Sequence, residues 1–291
     1  MDGKEHSSDA PSEMVRPRRA GIKKGVYILP SLFTTASLFC GFYSIIHSIS
    51  GDFVLAAWAI MFAGVFDGLD GRVARLTKTQ TEFGLEYDSL VDLASFGLAP
   101  SILVFTWNLH ALNRIGWAAA FLFFACGALR LARFNVQSSS VEKRFFQGLP
   151  IPCAAYVLAS LVIFHEHIAG SVKMSPYFVM PLTIVIALLM VSSIRYRSFK
   201  HIDFSKPQSF IFLVIAAVVV FVVASAPQET MFLASVAYVL MGIVDELLHL
   251  RHRKNYLEKR LAQKEQALRP QDHLKVVNLP SGEKTTSEKH L

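Results

Sequence analysis

The segment Asp67–Asp92, DGLDGRVARLTKTQTEFGLEYDSLVD, decides how the rest of the chain is read. Its fixed points are Asp67, Asp70, Gly71, Ala74, Arg75, Gly84, Asp88 and Asp92, in the spacing D-x2-D-G-x2-A-R-x8-G-x3-D-x3-D. One apolar run, Phe53–Phe66, leads into it and another, Leu93–Trp107, leads out. A charge deep in lipid costs about 2.5–3.5 kcal/mol, so acids at such a joint belong near a membrane face. On helices, Asp67 and Asp70 are i, i+3 neighbours and Asp88 and Asp92 are i, i+4 neighbours, so each pair shares a face. If the two segments run antiparallel, four carboxylates meet in one small volume. Their mutual repulsion demands a cationic partner. A pair of divalent ions about 3.5–4 Å apart, held by oxygen ligands, fits both the charge and the spacing.

The small residues fall on the same face. Gly71 and Ala74 follow Asp67 at i+4 and i+7 and make room for a bulky ligand against the backbone. Gly84, one turn before Asp88, is expected to permit close helix packing. Arg75, one turn beyond Gly71, offers a guanidinium to a phosphate. Acids, a glycine floor and an arginine together point to a metal-bound diphosphate.

Outside this segment the chain reads as a polytopic membrane protein. Its 291 residues are 53% hydrophobic, with 23 Phe, and the mean hydropathy is +0.40. The expected fold class is all-α, a membrane helix bundle with about eight transmembrane helices, at 26–48, 52–72, 86–107, 115–134, 150–168, 176–194, 208–225 and 229–250. Every even-numbered exit is basic, as at Arg72, Arg75 and Lys78 or Arg251, Arg253 and Lys254, whereas the opposite loops hold only Arg114 and Lys173. The positive-inside rule then places both termini and the Asp67–Asp92 joint at the cytoplasmic face. Residues 1–25 are expected to be a disordered basic leader, 26–250 the membrane domain, and 251–291 a polar cytoplasmic tail that starts with a short surface helix.

The net charge of +7 and pI of about 9.3 do not signify nucleic-acid binding, because the basic residues border apolar runs and serve topology and anionic lipid. Cys40, Cys126 and Cys153 lie in apolar runs, odd in number and without a C-x-x-C pair, so neither a disulfide framework nor a zinc site is expected.

Arg130, Arg133 and Asn135, in GALRLARFNV, end the fourth span on the same side as the acids and are candidates for binding the acceptor or a phosphate. Ser31 and Thr34 open the first span at that face, where hydroxyls can meet a nucleotide or Ser31 can cap a helix. Gly148–Pro152 is expected to set a rigid start to the fifth span. His165-Glu166-His167 lacks the H-E-x-x-H spacing, falls towards the far side and reads as structural. Asp245 and Glu246, with His249 and Arg251, read as local pairing.

The eight-point pattern resembles the signature of the CDP-alcohol phosphotransferases, matching every fixed position and both long gaps. That resemblance implies integral membrane enzymes in which a hydroxyl displaces CMP from a CDP-activated lipid or alcohol, commonly as homodimers using Mg or Mn. It implies that Asp67, Asp70 and Asp88 are metal ligands for two divalent cations, and that Asp92 is a ligand or the catalytic base. It also implies that Gly71, Ala74, Arg75 and Thr81 contact the CDP portion. Within the family, PSLFTTASLFCGFYSI (30–45), GALRLARFNV (127–136) and FQGLPIP (146–152) are similar to the membrane-integrated phosphatidylserine synthases. This branch often carries Asn where Ser31 and Ser37 stand here. The implied substrates are CDP-diacylglycerol and L-serine, and the implied location is the bacterial inner membrane with the site facing the cytoplasm.

Two other readings make different demands. A phosphorylated acceptor, glycerol 3-phosphate or inositol phosphate, would want further arginines or lysines at the pocket. A cation transporter would want its acids near the bilayer midplane, in broken helices.

Overall fold

A computed structural model describes residues 21–77, 81–138, 146–170, 172, 174–196, 214, 217–218, 221 and 223–268. Among these the regular structure is helical except for one two-residue antiparallel pairing. Helix α1 (Gly21–Ser50) ends at Gly51, whose φ of +88° suits glycine. The Asp52 amide then donates to the His47 carbonyl at 2.9 Å, and the Asp52 carbonyl accepts from Ala56 as α2 (Phe53–Thr77) begins. So short a turn makes α1 and α2 antiparallel neighbours, packed along their lengths.

Helix α3 (Glu82–Asp92) starts on Thr81, whose hydroxyl accepts the Gly84 amide at 3.0 Å. It runs without a break through a π-helical turn, Leu93–Leu98, into α4 (Ala99–Trp107). The wide turn is held to α1: the buried Ser95 hydroxyl donates to the Ser37 carbonyl at 3.1 Å. A Cβ on Gly41 would meet Ser95 Cα at 2.8 Å, so only glycine lets α1 approach this closely. A 3-10 turn (Leu109–Leu112) leads to α5 (Asn113–Ser138).

The short strands β1 (Phe146–Gln147) and β2 (Arg195–Tyr196) pair in the register Phe146↔Tyr196 and Gln147↔Arg195. Between them lie α6 (Ile151–Ala169) and α7 (Pro176–Val191). Gly148, at φ +83°, brings the chain against the end of α7: its amide donates to the Ile194 carbonyl at 2.8 Å, and the Leu149 amide to the Leu189 carbonyl at 3.0 Å. Helix α8 runs from Pro227 to Leu268. The chain divides into a unit ending at Ile243 and a second beginning at Val244, within that helix.

The core is built on small residues. Ala56, Ala57, Ile60 and Ala63 of α2 are fully buried and face α6, which buries Ala154, Ala155, Leu158 and Ala159. Such stripes let helix backbones approach in lipid, where there is little hydrophobic drive between helices. Phe39, Phe42, Ile49, Phe62 and Phe121 are exposed on the outside, as lipid-facing side chains are.

Six helical segments are long and apolar enough to cross a bilayer: Pro30–Ser50, Phe53–Thr77, Glu82–Trp107, Leu109–Val136, Ile151–Ala169 and Pro227–Leu248. These correspond to spans one to five and eight of the sequence reading. The sixth expected span is the 16-residue apolar helix α7, shorter than a full crossing. The seventh, 208–225, lies mostly outside the described residues, as do the leader up to residue 20 and the tail beyond 268. Helix α1 begins at Gly21, so Ser31 sits inside the helix and is not its cap.

Candidate active site

Asp67 and Asp70 lie on the C-terminal half of α2, and Asp88 and Asp92 on α3. Ligand oxygens of Asp67, Asp70 and Asp88 all lie within 4.8 Å of one another. Asp70 is buried, whereas Asp67 and Asp88 are half-buried. Asp92 joins them, its carboxyl lying in contact with that of Asp67. The antiparallel meeting of two acidic helix ends, expected from the spacing, is therefore realised, and the four acids form one cluster.

This donor set fits divalent cations. Oδ1 of Asp88 and Oδ1 of Asp92 are buried with no hydrogen-bond partner, although a buried carboxylate oxygen is expected to be satisfied. The ligands are hard oxygens, the type that Mg2+ and Mn2+ prefer. A Cβ built on Gly71 meets nothing within 4 Å, so the helix surface next to Asp70 is open there.

Other expected contacts have differing surroundings. Arg75 is exposed and its Nε–H donates to the Gly71 carbonyl at 2.7 Å, while Ala74 is half-buried on the same helix. Thr81 is exposed and caps α3. Gly84 was expected to permit close packing between helices; instead, the atom nearest an added Cβ is the capping Thr81 Oγ1 at 3.1 Å. Its small size therefore serves the start of α3. Thr34 is buried, and its hydroxyl donates to Asp70 Oδ2 at 2.8 Å.

Arg130, Arg133 and Asn135 part company. Arg130 is 9% exposed, lies within electrostatic reach of Asp92 and keeps a buried Nε without a hydrogen-bond partner. Arg133 donates from Nη1 to the Val191 carbonyl at 3.0 Å, at the negative end of α7. Asn135 donates from Nδ2 to Ser89 Oγ at 3.1 Å. The i, i+3 spacing puts both arginines on one side of α5, but only Arg130 is turned to the acids.

One neighbour of the centre has no sequence signal. Tyr156 of α6 lies within electrostatic reach of Asp67 and Asp92. Its hydroxyl fills the space that a side chain at Gly64 would need, one turn before Asp67, and its ring packs edge-on to Phe96 of the π-helical turn, with centroids 6.3 Å apart. It also borders a cavity of about 270 Å³ lined by Met61, Cys153 and, from α8, Met231, Ala234, Ser235 and Tyr238. A lone tyrosine in an apolar run carries no spacing that would have marked it.

His165-Glu166-His167 ends α6, away from the acids, and has structural partners there. Trp107 Nε1 donates to Glu166 Oε1 at 2.9 Å, His165 packs edge-on to Trp107, and His167 Nε2 lies 3.5 Å from Glu229 Oε1.

The profile of the CDP-alcohol phosphatidyltransferases matches residues 27–192, which run from within α1 to the end of α7 and include all four acids. The chain belongs to this family. A protein of Helicobacter pylori named CDP-diacylglycerol–serine O-phosphatidyltransferase is 38% identical over 223 residues, 75% of this chain and 91% of its own length. Proteins of the same name from Bacillus subtilis and Methanocaldococcus jannaschii are 34% identical over 173 residues and 33% identical over 181. These cover 59% and 62% of this chain, and 91% and 78% of their own lengths. The family match stops at α7, so it does not extend to α8 and the residues that α8 contributes to the cavity beside Tyr156.

Proposed function

We propose that this protein transfers the phosphatidyl group of CDP-diacylglycerol to the hydroxyl of L-serine, releasing CMP. The observation that carries the proposal is the convergence of Asp67, Asp70 and Asp88 from two antiparallel helices, in a chain of this family. The serine hydroxyl oxygen forms a bond to the phosphatidyl phosphorus, the P–O bond to CMP breaks, and CMP leaves with the bonding pair. Asp92 receives the hydroxyl proton. Its value lies in placement, beside Asp67 and within reach of Arg130.

Asp67, Asp70, Asp88 and Asp92 would hold two divalent cations, Mg or Mn, which when bound polarise the diphosphate and neutralise charge on the departing CMP. Gly71 and Ala74 leave room for the CDP portion, and Arg75 reaches its phosphates. Ser31 and Thr81 stand at the rim. Arg130 is the acceptor-side cation, matched to the serine carboxylate, with Arg133 and Asn135 shaping that side through α7 and Ser89. Among the described residues, no serine, cysteine or histidine beside the acids is set up as a nucleophile, which favours direct displacement.

An acceptor panel tests this reading. With CDP-diacylglycerol and Mg2+ or Mn2+, purified protein should release CMP with L-serine and not with glycerol 3-phosphate or inositol phosphate. CMP release with either of those and none with serine would replace serine as the acceptor.

The same reading implies eight membrane spans in a bacterial inner membrane, with the seventh within 208–225 and both termini and the acids on the cytoplasmic side. Ser7→Cys and Ser287→Cys should both be labelled by a membrane-impermeant thiol reagent only in inverted vesicles. Labelling of either from the outside would overturn the topology. The protein is also proposed to act as a homodimer, with a mass in detergent twice the 32.4 kDa of one chain.

A further inference from the structure

We propose that Thr34 of α1 is a positioning residue for the metal centre, orienting the Asp70 carboxylate through a buried hydrogen bond. This rests on the reading of the four acids as metal ligands. In a membrane helix a threonine hydroxyl ordinarily bonds back to the carbonyl four residues earlier. Thr35 does so, donating to Ser31 O at 2.7 Å. Thr34 has the same option, with Pro30 O at 3.1 Å, but the Asp70 carboxylate oxygen is nearer at 2.8 Å. A hydroxyl has one proton, and a charged acceptor at shorter range takes it. Both partners are buried, Thr34 at 5% exposure and Asp70 at 6%, so water does not compete for the bond.

The neighbouring hydroxyl extends the same grip to the other acidic helix. With its own proton committed to Ser31, Thr35 Oγ1 accepts from the Tyr87 hydroxyl at 3.0 Å, and Tyr87 precedes Asp88. Consecutive threonines on α1 therefore hold α2 at Asp70 and α3 beside Asp88. Asp70 has only a short side chain with which to aim, and its rotation decides whether an oxygen faces the cluster. Removing an outer partner of a metal ligand typically costs about 10–100-fold in metal affinity.

The test is Mn2+ binding to purified protein without substrate, read by the loss of the free-ion electron paramagnetic resonance signal, beside the melting temperature in chelator. T34V keeps the side-chain shape and removes the hydroxyl, and it should weaken Mn2+ binding by about 10–100-fold with the chelator melting temperature unchanged. T34S restores the hydroxyl without the methyl and should bind as wild type does. If T34V does not fold, T34A carries the same expectation. Wild-type affinity in T34V or T34A overturns the proposal, and so does a T34S defect equal to that of T34V. No Mn2+ binding by the wild type would overturn the metal reading itself, and this proposal with it.

Discussion

Asp92→Asn should cut CMP release by about 10²–10⁴-fold while the protein still binds CDP-diacylglycerol. The carboxylate sits where the two acidic helix ends meet, in contact with Asp67 and within electrostatic reach of Arg130. Its Oδ1 is buried and has no hydrogen-bond partner, so it is placed to receive a proton from a substrate rather than to tie the fold together. Asparagine keeps the shape but supplies neither charge nor a site for that proton. The loss should therefore fall on kcat, with the KM for CDP-diacylglycerol changed much less. A drop smaller than about 10-fold would move the base elsewhere. Metal flux across vesicles without any CMP would favour the transporter reading.

Chelation should abolish CMP release altogether, and added Mg2+ or Mn2+ should restore it. Three carboxylates with oxygens within 4.8 Å, and a fourth touching one of them, are held together against their own repulsion. Ions that bind only the folded state also stabilise it, by about 2.7 kcal/mol at a concentration 100-fold above Kd. Saturating Mn2+ should thus raise the melting temperature of the wild type, and Asp70→Asn should lose most of that rise. Full activity after exhaustive chelation would remove the metal ions from the reaction. A melting temperature indifferent to Mn2+ in both proteins would show that the acids hold no ion in the free enzyme.

The acids were legible because their signal is local and periodic. Spacings of three and four put each pair on one helix face whatever the rest of the chain does, and apolar runs on both sides leave little choice about where the pairs sit. The partners of the acids were less legible. Arg130 and Arg133 have the same spacing from each other as Asp67 and Asp70, yet one arginine faces the cluster and the other caps α7. Which way each points depends on the π-helical turn and on the approach of α7 to α5, and neither is encoded by spacing within GALRLARFNV. Gly84 is a signature position and Thr81 lies in the gap before it, but in the structure the two build the start of α3. Tyr156 had no pattern to betray it.

Sequence alone determined that this is a helical membrane protein of the CDP-alcohol phosphatidyltransferase family, and that its acids pair on helix faces next to apolar runs. Hydropathy and helical period are properties of one segment at a time, so they survive without knowledge of neighbours. Only the tertiary structure decided what surrounds those acids: Thr34 on Asp70, Tyr156 against Gly64, and Arg130 near Asp92 while Arg133 and Asn135 are engaged elsewhere. Each of these depends on the rotation and depth of one helix against another, which small residues such as Gly41, Ala57 and Ala63 set by letting backbones come close.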